Sequence, residues 1–440
     1  MRSLNFGNLV AKEWRELLAA RSYWLLLLLI GPLVGQAFIA AVKLYAEASG
    51  SGGMPAALPQ GLTPLDGILS PTFGAYDLAA TFFLPFVAIR LISAEKQSGA
   101  LKLLLQLPGS LGTKLAAKGL VLLAGWVLTC VPGLLAIALW KSYGGHLYAP
   151  EALNLLLGHL LRSMLAVSIA VVAAAIAEGA ASAAILTLGF TVGSWALDFI
   201  AAGRGGLLQQ LANYTPTAAL RSFEQGLLRL NTVIVMLVII VLSFALAAVW
   251  LNTGSKLRHR VLTTLAIAVL LAVGMIGAMG LRSSWDLSEN RRNSFPPADE
   301  AALRQINEPL LITVILAPED PRLTDFEQNV LRKLRRNLTR LEVHYTAGSQ
   351  TGLFEGSDDH YGEIWYELRG QKIMDRSTIE PVVLEQIYKL AGVDPPAAGA
   401  VDDFPGYPLA TSPKWAAPLF YGAFPLLTIF AWWFIRRERN

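Results

Sequence analysis

Charged side chains are scarce in this chain, and their placement limits the chemistry open to it. The stretch AEKQSGALKLLLQLPGSLGTKLAAKGL (94–120) sets Glu95, Lys96, Lys102, Lys114 and Lys118 between two long apolar runs. Its GSLGTK piece (109–114) superficially suggests a phosphate loop, but it lacks the G-x-x-x-x-G-K-[ST] spacing that lets backbone amides wrap phosphates. Nucleotide hydrolysis by this chain is therefore not expected. No Ser/His/Asp grouping or paired carboxylates stand out, so no catalytic residue is assigned. Cys130 is the only cysteine and lies in an apolar run, which excludes a disulfide framework and a Cys-rich zinc site. The DDHYGE stretch (358–363) reads as a polar loop before a hairpin, so no metal site is assigned. Charge inside hydrocarbon is costly unless paired or wet. Arg162, deep in its apolar run, and Asp198, late in its own, are thus the candidate pathway residues, and Asp198 reads first as reaching an interface. Spacing names no partner for either. Arg90, near the end of its run, reads as a snorkelling side chain.

The elements that must position these residues are apolar. The 440 residues are 54% hydrophobic and 15% charged, with mean hydropathy +0.48, against about 25% charged in a soluble domain. Residues 282–414 hold 21 acids and 15 bases, while the remainder holds 11 acids and 21 bases. An acidic domain is thus set into a basic membrane protein. About 20 apolar residues cross a bilayer, and eight runs qualify: 23–44, 76–94, 119–140, 152–177, 180–202, 231–252, 260–281 and 415–435. The first reads as a retained span rather than a cleaved signal. Spans four and five form a tight hairpin at 177–180, with Glu178 in its turn. Gly31-x-x-x-Gly35 and Gly189-x-x-x-Gly193 permit close helix approach.

Lysine and arginine favour cytoplasmic loops. With the N-terminus inside, fourteen such residues lie on the inner segments and four on the short outer loops. Both termini are then cytoplasmic and 282–414 faces outward. Residues 1–22 read as an interfacial elbow helix: Phe6, Leu9, Val10, Trp14, Leu17 and Leu18 recur at helical spacing, with Lys12, Glu13, Arg15 and Glu16 opposite. In 282–414 the patterns predict a strand at 309–317, a helix over 324–341 capped by Thr324, a strand in LEVHYTA (341–347), a hairpin about Arg369-Gly370, and a helix ended by Gly392. This is a small α/β layer, joined to the last span by a Pro/Gly-rich linker.

Residues 91–106 continue span two into water, and Lys114 and Lys118 lead span three. Gly99 breaks the helix, ALKLLLQL resumes it, and Pro108-Gly109 turns it. A stiff amphipathic piece between two spans suits a lever for a cytosolic partner; the plain alternative is a solvated loop whose lysines set topology.

The same segment resembles the Glu-x-x-x-Gly-(Thr)-Leu-x-x-Leu-Leu-x-x-Pro-…-Lys signature of type-2 ABC exporter permeases, at Glu95, Gly99, Leu101, Leu104, Leu105, Pro108 and Lys118, with Ala100 in place of Thr. The stretch NYTPTAALRSFEQGLLRLNTV (213–233) resembles the segment before the sixth span of that family, a re-entrant outer element here given as 205–230, with Pro216 and Gly226 at the expected places. SWDLSENRRNSF (284–295) and GEIWYELRGQKIMDRSTIEPVVLEQIYKLAG (362–392) resemble the gliding-motility-type auxiliary ABC component, with Ser288 for its Thr and a shorter domain. The resemblance implies an elbow at 1–22, a six-span permease over 23–255 with coupling segment 91–118, a seventh span at 260–281, an extracytoplasmic α/β auxiliary domain at 282–414, and an eighth span with a basic tail at 415–440. It implies a multi-pass protein of a bacterial inner membrane, working as two copies with two cytosolic ATPases that carry ATP and Mg. Their contact would fall on Glu95, Lys96, Gly99, Leu101, Lys102, Leu104, Leu105, Pro108 and Glu178, and on the elbow residues Phe6, Val10, Trp14 and Leu17. The implied activity is export of an unidentified lipid-linked or envelope substrate. The alternative is a mechanotransmission complex that drives its outer domain against an envelope partner without moving a solute. Nucleic acid is not an expected partner.

Overall fold

The computed structural model describes residues 6–51, 62–106, 110–201, 212, 214–252, 254–281, 283–317, 320–346, 360–396 and 404–438. Pro108, most of 205–213, and Asp358 and Asp359 lie outside them. Among the described residues the structure is mostly helical, and eight helical segments are long and apolar enough to cross a membrane. It divides into two compact units, one of Met1–Gly193, Arg229–Ser283 and Pro405–Asn440, the other of Ser194–Leu228 and Ser284–Phe404.

The first unit is a helical bundle. A short helix, α1 (Phe6–Ala19), precedes α2 (Arg21–Ala46). Then come α3 (Ser70–Gln97), the seven-residue α4 (Ala100–Gln106), α5 (Leu111–Thr129), α6 (Val131–Ser142), α7 (Ala149–Ile176) and α8 (Ala180–Ala201). Span three is thus two helices broken at Cys130. Pro132 is the cause, because it has no N–H to return to the Leu128 carbonyl. Near the break, the Tyr23 hydroxyl of α2 donates to the Gly125 carbonyl at 2.8 Å, and within α5 the Thr129 hydroxyl donates to that of Trp126 at 2.7 Å. The bundle core is apolar and continuous through Leu26, Ile30, Phe73, Leu84, Val121, Leu155, Val167 and Val171.

The last span docks on the first. The helix over Phe424–Arg437, entered through a wide turn at Pro418–Ala423, lies against α2. Phe424 sits over Gly31 and Phe420 over Gly35; a Cβ on either glycine would come within 2.3 Å of the ring or its Cβ. The first small-residue pair therefore receives a helix of the same chain, whereas Gly189 and Gly193 have open space beside them. The lead-in is laced down as well. Tyr45 donates to the Tyr407 carbonyl at 2.7 Å, Leu409 N–H donates to Ser49 Oγ at 2.8 Å, and the Tyr407 ring stacks on His146.

Continuing the helix count in chain order, α9 is Pro216–Glu224, α10 Leu230–Leu251 and α11 Leu257–Met279. Helices α10 and α11 pair with one another, and the outer face of α11 is almost wholly exposed.

The second unit is built on a four-stranded sheet in the order β4-β3-β5-β6, where β1 is Leu227–Arg229, β2 Ser284–Asp286, β3 Leu310–Val314, β4 Leu341–Tyr345, β5 Ile364–Leu368 and β6 Gln371–Asp375. Strands β3 and β4 are parallel; β5 and β6 form an antiparallel hairpin. Arg369 and Gly370 turn that hairpin with φ +54° and +77°, as a two-residue connection between right-twisted strands requires. Leu310, Ile312, Val314, Ile364, Tyr366 and Leu368 alternate inward and meet Phe326, Val330, Leu334, Val383 and Ile387. The first of the covering helical segments begins at Pro321, and Asp320 rather than Thr324 caps it, accepting from Arg322 N–H at 2.9 Å. The helix expected over 324–341 is interrupted by a wide turn at Glu327–Leu331 and ends at Asn337. Gly392 closes the last covering helix in the left-handed region, as expected.

Asp286 organises the start of this unit. Its Oδ1 accepts from Ser288 N–H and Oγ and from Asn293 Nδ2; its Oδ2 accepts from Asn293 N–H and Ser294 Oγ, all within 2.5–3.1 Å. Asn293 Nδ2 also reaches the Gln225 carbonyl at 2.8 Å, and Gly226 (φ +78°) packs so closely on Ser288 that a Cβ would stand 2.9 Å from its Cβ. The DLSENRRNS stretch is thus a knot around one carboxylate. Hydrogen bonds to a charged group contribute about 1.5–3 kcal/mol each and do not add in full. Asp286→Ala should lower the unfolding free energy of this unit by about 2–4 kcal/mol, read as earlier proteolysis or melting of the full chain, and a loss below 1 kcal/mol would deny the knot that role.

Candidate functional site

The charges of α1, α3 and α5 converge. Helix α1 buries Leu9, Glu13 and Leu17, a stripe at i, i+4 spacing with a carboxylate in its middle. Glu13 therefore does not lie on the outer face with Lys12 and Arg15. It is drawn inward by Lys118, whose Nζ donates to Glu13 Oε2 at 2.6 Å and to Glu95 Oε1 at 2.9 Å. Lys12 closes the cluster from the rim, 2.8 Å from Glu95, 3.1 Å from Glu13 and 3.2 Å from Glu16. Glu13, Glu95 and Lys118 are 1%, 6% and 5% exposed. Below them, Leu17 seats on Gly125, where a Cβ would stand 2.9 Å from its Cδ2.

Burial opposes the Lys12 charge, but the Glu95 and Glu13 carboxylates outweigh it, so the ammonium is held well above the ordinary lysine range. A raised folded-state value contributes stability that is complete below the unfolded value and is lost only as pH climbs through the folded one. The Lys12 ammonium thus stays charged at neutral pH, and its contribution is lost only in strong alkali. Glu13, Glu16 and Glu95 approach as a possible cation cage, but the two ammonium groups already supply the positive charge there.

Two more lysines tie down the neighbours. Lys96 Nζ donates to the carbonyls of Ala174, Ala175 and Ala177 at 3.0, 3.2 and 2.6 Å, covering the open carbonyls at the end of α7. Lys114 Nζ donates to the Leu104 carbonyl at 2.5 Å, tying α4 to the start of α5. Gly99, at φ +74° with open space beside it, makes the corner between α3 and α4. On α4, Leu101 and Leu104 are buried, while Lys102 is exposed and Leu103 is 67% exposed.

The nine residues assigned to partner contact therefore separate. Glu95, Lys96, Leu101 and Leu104 hold the assembly together from within, Gly99 shapes it, and Lys102 and Glu178 face outward. The structure describes the backbone of Leu105 but not its side chain. Among the elbow residues, Leu17 is core, Val10 and Trp14 are half-buried against it, and Phe6 is exposed. The outward position missing from the assignment is Leu103; an amphipathic reading of 100–106 with 101 and 104 inward points to it.

The remaining candidates lie elsewhere. Arg162 stands beside Asp77 and His159 in the bundle. Asp198 accepts from Arg221 at 2.8 Å. Pro216 opens α9, capped by Thr215, whose Oγ1 accepts from Ala218 N–H at 3.2 Å. Gly226 joins the Asp286 knot. Comparison of the chain with protein-family models, curated proteins and solved structures returned no match.

Proposed function

We propose that this chain is the membrane-spanning subunit of an ABC-type exporter, in which a separate cytosolic ATPase, present in two copies beside two copies of this chain, drives export of an unidentified lipid-linked or envelope substrate. The clamp carries the reading. One buried ion cluster fastens α1, the end of α3 and the start of α5, and two lysines add α4 and the end of α7 to the same assembly. Helix α4 is tied to α5 through Lys114 and joined to α3 at the Gly99 corner, so a push on its exposed ridge is passed to the clamped helices. ATP and Mg belong to the partner in this reading. The first six spans form the transporting core, the N- and C-termini and 91–118 face the cytoplasm of a bacterial inner membrane, and 282–414 stands outside. Coupling requires that the ridge bind two states of the ATPase unequally.

The second reading, mechanotransmission to an envelope partner, draws on the independent core of the β3–β6 unit. Cargo movement in vesicles separates the two.

The ridge is tested by Leu103→Asp with Lys102→Glu. With the ATPase that copurifies from the native membrane, this pair should lower stimulated hydrolysis about tenfold, the effect of one contact worth about 1.4 kcal/mol, while the melt of the chain stays unchanged. Stimulation equal to wild type overturns the docking role of α4.

A further inference from the structure

Helix α3 carries Asp77 within its span, and α7 carries His159 and Arg162 one turn apart. Asp77 Oδ1 lies 3.9 Å from His159 Nδ1, and its Oδ2 lies 3.8 Å from Arg162 Nε. Both separations exceed a hydrogen bond. His159 is fully buried, and neither ring nitrogen has a hydrogen-bond partner; Arg162 Nε has none either. Thr81 reaches the carboxylate, donating to Asp77 Oδ1 at 3.1 Å. Polar groups inside a membrane protein are kept where they act, because leaving them idle is costly. An imidazole with two idle nitrogens facing a carboxylate is suited to one ligand above others. An anion meets Asp77, and a metal cation meets Arg162.

The surroundings give that ligand a consequence. The His159 ring packs 5.4 Å from Phe73 and stands edge-on to Tyr76 at 5.9 Å. The Tyr76 hydroxyl lies 2.9 Å from Thr129 Oγ1 and 3.4 Å from Cys130 Sγ, at the break in span three. Among the described residues, the titratable and charged groups that face the ring are Asp77 and Tyr76 from α3 and Arg162 from its own helix, with the Cys130 thiol behind Tyr76.

We propose that His159 is a proton-binding site inside the bundle, the proton being held on the imidazole that faces Asp77, and that its occupancy is transmitted through Tyr76 to the Cys130 break. The proton comes from water. With a neutral imidazole, Asp77 and Arg162 balance; uptake adds one positive charge, which draws the ring toward the carboxylate and away from Arg162. Nothing in this site depends on nucleotide or on an ATPase.

The test uses the full chain in lipid nanodiscs with isotope-labelled histidine. One of the five histidine signals should respond to pH, vanish in His159→Gln, and change its midpoint in Asp77→Asn. Maleimide labelling of Cys130, divided by the rate of a free thiol at each pH, should bend at the same midpoint in wild type and follow the moved midpoint in Asp77→Asn. Should His159→Gln fail to fold, the Asp77→Asn shift decides alone. A set of histidine signals that Asp77→Asn leaves unmoved overturns the proton site, and a normalised Cys130 rate without that bend overturns its transmission through Tyr76. Both results are independent of stimulated ATPase activity, so failure here leaves the coupling reading standing.

Discussion

Lys118→Met should destabilise the bundle by about 3–5 kcal/mol, because it leaves two buried carboxylates with one partly exposed ammonium between them. Burying an ion pair is not itself a large gain; breaking one strands the partner. The cluster therefore predicts a pattern and not only a size. Glu13→Leu or Glu95→Leu alone should also be costly, since each leaves Lys118 with one carboxylate. Replacing Glu13, Glu95 and Lys118 together by leucine or methionine should recover most of the loss, as apolar replacement of whole buried ionic groups often does. The measurement is reversible unfolding of the full chain in one detergent, with the triple variant beside the singles. If the singles lose less than about 1 kcal/mol, the cluster behaves as an exposed pair, and α1 is not fastened through it. Hydrolysis coupling should fail in the triple variant even where stability returns, because Lys12 then has only Glu16 to hold and the link between α1 and α3 is gone.

The second large effect is expected at Gly35. A leucine there would drive its Cβ to 2.3 Å from the Phe420 Cβ and 2.5 Å from its Cγ, and Gly31 is as tight against Phe424. Overpacking costs about 1–3 kcal/mol per site, so Gly31→Leu with Gly35→Leu should release the last span from α2. Tyr421 and Gln36 are joined by a 2.5 Å hydrogen bond across that contact. Cysteines at those two positions, in a Cys130→Ala background, should be bridged by a short bis-maleimide in the parent and not in the glycine variant. Phe420→Ala should restore the bridge to Gly35→Leu. A bridge that survives both glycine replacements would mean that the last span is held elsewhere.

What the sequence made readable follows from period and punctuation. Eight apolar runs of spanning length, the hairpin turn at 177–180, the Gly99 corner, the β5–β6 turn and the Gly392 cap each announce themselves locally, because hydrophobic length and glycine conformation are local properties. The failures share one cause. A helical wheel sorts by polarity and sets Glu13 outward, yet a lysine 105 residues away reverses the sign of its burial. Thr324 was favoured as a cap over Asp320, although Pro321 sits at the first helical position that the aspartate cap precedes. Gly31 and Gly35 pointed to a close helix without saying which, and the answer lay at the far end of the chain. Spacing names no partner for Arg162, although Asp77 and His159 also lie within the apolar runs. That lone intramembrane charges must look to one another was the available signal. Type and place put Glu95 on a partner surface, but its burial depends on Lys12 of α1 and Lys118 of α5, and local period does not show that either lysine turns toward it.

The account rests on the exposed ridge of α4 meeting a nucleotide-consuming partner. A photocrosslinking residue at position 103, with one at the exposed Leu427 of the last span as control, measures this most directly in the native membrane. The account predicts that position 103, and not position 427, captures a nucleotide-binding polypeptide, with a yield that differs between ATP-loaded and nucleotide-free membranes. Capture of lipid alone at position 103, or labelling of that position only from the side opposite the ATPase, would contradict it.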